Sequence, residues 1–489
     1  MTRRGRGAPL SIHRGKLVAC LALALCACAL PSPRVSAPVD ADVPGAWADA
    51  GTPGEGRSTS LAGWWSRFDD PLLGSLVLQA LQANTSVVGA QAALRQARAL
   101  RDVAAAGLSP NVGSSAAAQR NTTGNNDPAN NFKLGLDASW EVDVFGANRS
   151  ALRASEAAAF ASAASLGDVQ VSIAAEVALA YVTLRGAQLR LAIAGANLAS
   201  QEETLQLTQW RQQAGLVTAL EVEQALAASA QTRAQLPVLR KSIEQAGYAL
   251  SVLTGRPPAE LSGVLAAPGP VPRAANDLAL DIPAQTLRQR PDVRAAEYQV
   301  VAAIARVSQA DAARLPNFKL GGSVGLNALS LGALTNGASV VTALLASVSL
   351  PVFDGGALRG QVRVQEAALE QAVSAYRAAV LKALKDVEDA LAALRHDLER
   401  EISLQQAAAS ADNAATLARQ RFTSGLVDFQ VVLETQRTLL NTQDSLAGVR
   451  ADLGADYVRL YKALGGGWRP EDAEAAVRPD ERSGSSALR

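Results

Sequence analysis

The sequence predicts a mixed α and β fold, built twice in tandem, in which very long helices carry pairs of extended strands. Three observations predict it. Long stretches lack helix breakers, four shorter stretches alternate apolar and polar residues, and the two halves of the chain resemble each other.

The helices set the length scale. From Gln361 to Ser424 there is neither Gly nor Pro, and apolar residues recur as Val373, Tyr376, Val380, Leu384, Val387, Leu391, Leu394 and Leu398. Steps of three and four are the period of bundles and coiled coils. A matching segment runs from about Asn148 to Gln213 without Pro. At 1.5 Å per residue each spans roughly 100 Å. Helices this long need neighbours along their whole length.

The clearest strand is FKLGLDASWEVDV, residues 132–144. Its even positions are apolar or small, from Phe132 to Val144. Its odd positions include Lys133, Asp137, Glu141 and Asp143. A period of two gives one apolar and one wet face. Segments 340–352 and 317–328 alternate similarly, and 108–119 more weakly.

The repeat is legible at several points. Arg211, Gly215, Leu216 and Val217 return as Arg421, Gly425, Leu426 and Val427, 210 positions on. Arg149, Arg153, Glu156 and Ala157 match Arg359, Arg363, Glu366 and Ala367. Pro110-Asn111 is echoed by Pro316-Asn317. Each copy therefore reads helix, strand, strand, long helix, helix, over roughly 200 residues, larger than a solenoid repeat. The expected boundaries are 63–265 and 281–467, joined by a linker at 266–280.

The ends differ in composition. Residues 1–27 have a basic start and a short apolar run, the pattern of an export signal. Leu25-Cys26-Ala27-Cys28 resembles a bacterial lipobox, which would make Cys28 the lipidated N-terminus. Leu17-Val18-Ala19-Cys20 fits the same pattern with almost no apolar run before it, and an ordinary cleavage site is the competing reading. Residues 28–62 are rich in Pro, Gly, Ser and Ala, as expected of a flexible tether. The charged tail, 468–489, is expected to be disordered.

Composition narrows the function. The chain has 46 basic and 45 acidic residues and a formal net charge of +1, so nucleic acid is not its expected partner. Beyond Cys28 there is no Cys, and the one His there, His396, lies in a charged helical stretch. No Cys/His metal spacing, phosphate loop or nucleophile pattern is present, and no cofactor is called for. An enzyme is unsupported.

The strands admit two readings. Each is roughly ten residues or more, enough to cross an outer membrane when tilted. The apolar face would then meet lipid, and Lys133, Asp137, Glu141 and Asp143 would meet water in a pore. The alternative is a half-buried sheet in a soluble domain. An export leader, no expected spanning helix and flanking long helices favour the membrane. Four strands close no barrel, since about eight are needed, so several copies must contribute.

Five motifs, in order, carry a family resemblance. They are Trp64-Trp65-Ser66-Arg67-Phe68-Asp69-Asp70-Pro71, Ser139-Trp140-Glu141-Val142-Asp143-Val144-Phe145-Gly146, Arg290-Pro291-Asp292-Val293-Arg294, Leu350-Pro351-Val352-Phe353-Asp354-Gly355-Gly356, and Tyr461-Lys462-Ala463-Leu464-Gly465-Gly466-Gly467-Trp468. With the duplication and lipobox, the chain resembles the TolC-like outer membrane efflux channels, nearest the lipoprotein branch of NodT and OprM. The resemblance implies a homotrimer with a twelve-stranded transmembrane β-barrel, four strands per protomer, above a long periplasmic α-helical barrel. It implies the exit duct of a tripartite pump in the outer membrane of a Gram-negative bacterium, working with a periplasmic adaptor and an inner membrane transporter.

The resemblance also implies a gate at the periplasmic tip, around the turns 211–220 and 421–430, which would also dock the adaptor. Related channels carry an acidic ring there, and here Glu434 takes that place. Gln430 stands where an apolar constriction is common, and Asp428 opens the same helix. The competing reading makes Asp428 and Glu434 solvated acids at a helix start. Two other classes of function are a lipid-anchored periplasmic adaptor, which would lack the second copy and the strand pairs, and an anchored cell-wall enzyme.

Overall fold

A computed structural model describes residues 63–122, 128–274 and 284–477. The expected leader, Cys28 and the tether lie outside the described residues, as does most of the second half of the linker.

The duplication is reproduced element by element. After α1 (Pro71–Ala83), the first copy runs α2 (Thr85–Ala106), β1 (Asn111–Asn121), β2 (Ala129–Val142), α3 (Ala147–Gln213) and α4 (Ala219–Leu253), then a single turn, α5 (Ser262–Leu265). The second runs α6 (Pro291–Ala312), β3 (Asn317–Ala328), β4 (Val340–Ser349), α7 (Ala357–Thr423) and α8 (Phe429–Ala463). Counterparts match in length: α3 and α7 have 67 residues, α4 and α8 have 35, and α2 and α6 have 22. The fold then ends on α9 (Pro470–Val477).

Glycine sets the ends of these helices. Gly146 and Gly356, at φ 81° and 90°, precede α3 and α7. Only glycine takes this conformation without strain. At the far end of α3, Leu216 N donates to Arg211 O (2.8 Å) and Gly215 N to Gln212 O (2.9 Å). At the end of α7, Leu426 N donates to Arg421 O (2.8 Å) and Gly425 N to Phe422 O (3.0 Å). Both are Schellman closures around a left-handed glycine.

The four strands form one sheet in the order β1-β2-β3-β4, antiparallel at every step. Directly paired residues share a face. The register aligns Leu134 with Leu326, Leu136 with Val324, Trp140 with Leu320 and Val142 with Phe318, so the apolar face continues across both copies. On the other face Glu141 lies opposite Lys319, their charges 4.0 Å apart, and Ser115 Oγ donates to Asp137 (2.8 Å). Every residue of β1 and β4 is exposed, so neither face of these strands rests on a core within the chain.

Two strand ends differ from the sequence reading. β2 stops at Val142, so Asp143 is not a pore-facing strand residue. Its carboxylate turns back to accept from Asn148 N (3.2 Å), Arg149 N (2.9 Å) and Arg149 Nε (3.2 Å), holding the start of α3. β4 stops at Ser349, before Pro351, whose ring nitrogen has no hydrogen to donate.

The main core lies where α1 and the start of the described chain meet α3, α7 and α8. Trp64 is 1% exposed, stacks on Tyr461 at 5.2 Å and meets Phe68 edge-on. Asp70 caps α1 through Leu72 N and Leu73 N and accepts from Tyr181 Oη at 2.8 Å. Arg185 donates to the same Tyr181 oxygen and to Ala267 O, tying the linker to α3. Arg290 donates to Ala463 O (2.8 Å), to Asp292 and to Asp386, fixing the start of α6 on the end of α8. A side chain at Gly466 would come within 2.9 Å of Trp64, which accounts for part of the triple glycine.

The tail is a second correction as far as residue 477, and 478–489 lie outside the described residues. Residues 470–477 form α9, with Ala473 and Val477 buried in one cluster with Leu94 on α2 and Ala159 and Ala163 on α3. Trp468 sits over Gly167, where a Cβ would lie 2.3 Å from its ring. Local charge suggested a solvated tail, but three apolar anchors outweigh it. One 18-residue stretch of α3 is also apolar enough to span a bilayer by composition, although none was expected; half of it is buried in the bundle, as in a core helix.

Candidate functional site: the helical tip and the polar sheet face

The two ends of the long helices differ in chemistry. At one end the helices meet the sheet, whose polar face carries Lys133 and Asp137, both exposed, and Glu141, half-buried. Asn317 Nδ2 donates to Glu141 at 2.7 Å. This face has charge of both signs.

At the other end stand the two turns. Leu216 and Leu426 are each 73% exposed, while Val217 and Val427 are half-buried, and Val427 packs on a small core. That core joins Ala225, Ala228, Ala418, Phe422, Phe429, Val432 and Leu433. Phe422 meets Phe429 edge-on at 5.8 Å. Below it Gln436 Nε2 donates to Thr204 Oγ1 (2.9 Å), a buried link from α8 to α3.

Glu434 and Gln430 lie one helical turn apart on the exposed face of α8, away from this core. Glu434 has no ion-pair partner among the described residues. Asp428 occupies the N-cap position, also exposed, but its side chain makes no capping bond. The first turn is closed differently, by a capping box in which Glu221 accepts from Thr218. The structure thus brings Asp428, Gln430 and Glu434 to one exposed end of the bundle.

Arg211 and Arg421, paired by the repeat, have different surroundings. Arg211 donates to Thr423 O (2.8 Å) and lies over the Phe422 ring at 4.3 Å, so it bridges the two turns. Arg421 is exposed. Sequence reading missed this bridge, along with the exposure of Trp210 (58%) and Leu220 (65%) beside the first turn. No local pattern signals it, because the ring under Arg211 belongs to Phe422 in the other turn.

A third feature lies where α3, α6, α7 and α8 meet. A cavity of about 580 Å³ is lined by Asp168, Arg290, Asp292, Lys382, Asp386 and Asp456, among others. Burial pushes the Asp456 carboxyl up to about 6, with Asp397 adding to the rise and Arg459 opposing it. Burial likewise raises Asp168. Four cations, Arg290, Lys382, Arg459 and Lys462, share the cavity with five acids. His396 is exposed and lies 3.6 Å from Glu399 on the helix surface.

Comparison with known proteins agrees with this geometry. The profile of the outer membrane efflux protein family matches residues 76–256 and 282–466, one segment in each copy. The outer membrane protein OprJ of Pseudomonas aeruginosa is 31% identical over 92% of this chain and 95% of its own. The toluene efflux pump outer membrane protein TtgF of Pseudomonas putida is 32% identical, over 92% of this chain and 96% of its own. Among solved structures, the outer-membrane channel OprN superposes with a TM-score of 0.84 at 36% identity, covering 89% of this chain and 99% of that one. These are channels, not enzymes, and both non-channel alternatives fall away. With a matching profile over both copies and relatives spanning nearly its whole length, the chain belongs to the outer membrane efflux protein family.

Proposed function

We propose that the chain is one third of a passive exit duct. Three copies would join their four-stranded sheets into a twelve-stranded barrel, and their long helices into a tube below it. The observation that supports this reading is the sheet itself. It has one continuous apolar face and one charged face, and β1 and β4 are exposed throughout. Such a sheet needs lipid on one side, water on the other and neighbours at both edges.

The duct would form a tripartite pump with a periplasmic adaptor and an inner membrane transporter, which supply the energy and most of the substrate choice. Lipidation at Cys28 would anchor the mature chain. The tip turns would dock the adaptor through Gly215, Leu216, Val217, Arg421, Gly425, Leu426 and Val427. Arg211 would instead hold the resting tip together. Three Glu434 carboxylates around the axis would favour cations. Apolar solutes, such as the toluene that names one relative's pump, suit a passive duct of this kind.

The test is single-channel conductance in planar bilayers. The wild-type chain is expected to conduct with cation preference, and Glu434→Ala to lower that preference or raise the resting conductance. An unchanged preference and conductance would remove Glu434 from the gate. No conductance in Arg211→Ala as well, where the resting tip loses its bridge, would remove the duct.

A further inference from the structure

Just below the sheet, on the helix side, is a cavity of about 500 Å³ lined by Arg314, Gly356, Arg359, Val362 and Arg363. Arg314 lies between α6 and β3, and Arg359 and Arg363 stand one turn apart at the start of α7. All three arginines are exposed. Like charges one turn apart repel, so an anion bound between them would be favoured.

The nearby acids are largely engaged. Asp311 lies 3.2 Å from Arg314. Asp354 is beside Arg359, but its oxygens accept from Gly356 N (2.9 Å) and Leu358 N (2.8 Å). Arg359 and Arg363 make no ion pair among the described residues. On the same loop Val352 and Phe353 are 91% and 92% exposed, the most exposed large apolar side chains in the described chain. A guanidinium cluster beside bare apolar groups, level with the end of a lipid-facing sheet, suits a phosphate diester with acyl chains attached.

The first copy lacks this combination. Leu108 stands at the counterpart of Arg314, and Asp143, which clamps Arg149, stands at the counterpart of Phe353. The feature therefore belongs to the second copy and is not a by-product of the fold.

We propose that Arg314, Arg359 and Arg363 bind the headgroup of an anionic phospholipid in the periplasmic leaflet, with its chains against Val352 and Phe353. This rests on the reading that the sheet spans the membrane. The test is native mass spectrometry of the full chain in detergent with added phosphatidylglycerol or phosphatidylcholine. Wild type should retain phosphatidylglycerol preferentially, and combined Arg314→Gln, Arg359→Gln and Arg363→Gln should weaken retention by about tenfold. If that variant fails to assemble, Arg363→Gln alone should weaken it by about threefold. Arg153→Gln, the first-copy counterpart of Arg363, should leave it unchanged.

Displacement of the lipid by millimolar inorganic phosphate would make this a free-anion site and overturn the proposal. So would equal loss in Arg153→Gln, which would mean diffuse charge. Retention unchanged in the triple variant while its assembly weakens would assign the arginines to contacts between copies. A wild-type chain that inserts into vesicles but shows no lipid preference overturns the site alone; one that does not insert overturns the membrane reading as well.

Discussion

The two tip turns have the same backbone and different chemistry. Both end a 67-residue helix in a Schellman closure around a left-handed glycine, and both lead into a 35-residue helix. Yet the first is sealed by a Thr218–Glu221 capping box and flanked by exposed Trp210 and Leu220. The second has uncapped Asp428 and a row of exposed polar groups at Gln430 and Glu434. Backbone geometry survives duplication because helix closure requires it. Side chains that touch nothing within the chain are free to diverge, and that is where two different jobs would be divided.

Substitutions at the closing glycines, the turn arginines, two acids of the tip and Asp456 test the difference. The largest effect is expected away from the tip, at the other glycine closures. A Cβ at Gly255 would lie 2.6 Å from Ala83 O, so Gly255→Ala should abolish assembly or cost several kcal/mol in chemical denaturation. Gly215→Ala and Gly425→Ala meet open space and only the φ penalty, so each should cost about 1 kcal/mol and the two should match. A clear inequality would mean that the turns are not equivalent in backbone strain.

Arg211 is expected to come next. Arg211→Ala removes a bridge between the turns and should raise the resting open probability several-fold in bilayers. Arg421→Ala should leave it near wild type, because Arg421 is exposed. Equal effects would refute the assigned difference. Glu221→Ala should cost roughly 0.5–1 kcal/mol of stability through its capping box, without altering ion selectivity. Glu434→Gln should do the reverse.

A further prediction concerns pH. Asp456 is held at about 6 in the folded chain against an ordinary 3.8, so the folded state binds the extra proton. Its contribution to stability is full below about 4 and is lost as pH rises through about 6. Asp456→Asn should therefore raise the apparent melting temperature at pH 7.5 by roughly 2–4 °C and by less near pH 4.5. A gain that grows on acidification would have the wrong sign.

Much of the fold was legible because its signals are periodic. The limits of β3 match the alternation from Asn317 to Ala328, and the absence of breakers between Gln361 and Ser424 marks α7. What was not legible depends on contacts between distant segments. Asp143 continues the alternation of β2, but backbone groups of α3 capture its carboxylate. Trp468, Ala473 and Val477 lie in a charged stretch, and only the groove between α2 and α3 gives them a partner. Arg211 reads as one member of a repeated motif, and only the neighbouring turn supplies Phe422 and Thr423. The exposed gate candidates were found through the family resemblance, since an exposed Glu on a helix has no pattern of its own.

Whether three copies make one tube is decided by electron microscopy of the purified mature protein in nanodiscs. Three-fold particles about 130–140 Å long are expected, a helical barrel of roughly 100 Å joined to a membrane barrel of about 30–40 Å. Monomers, or helical hairpins with no barrel in the disc, would contradict it.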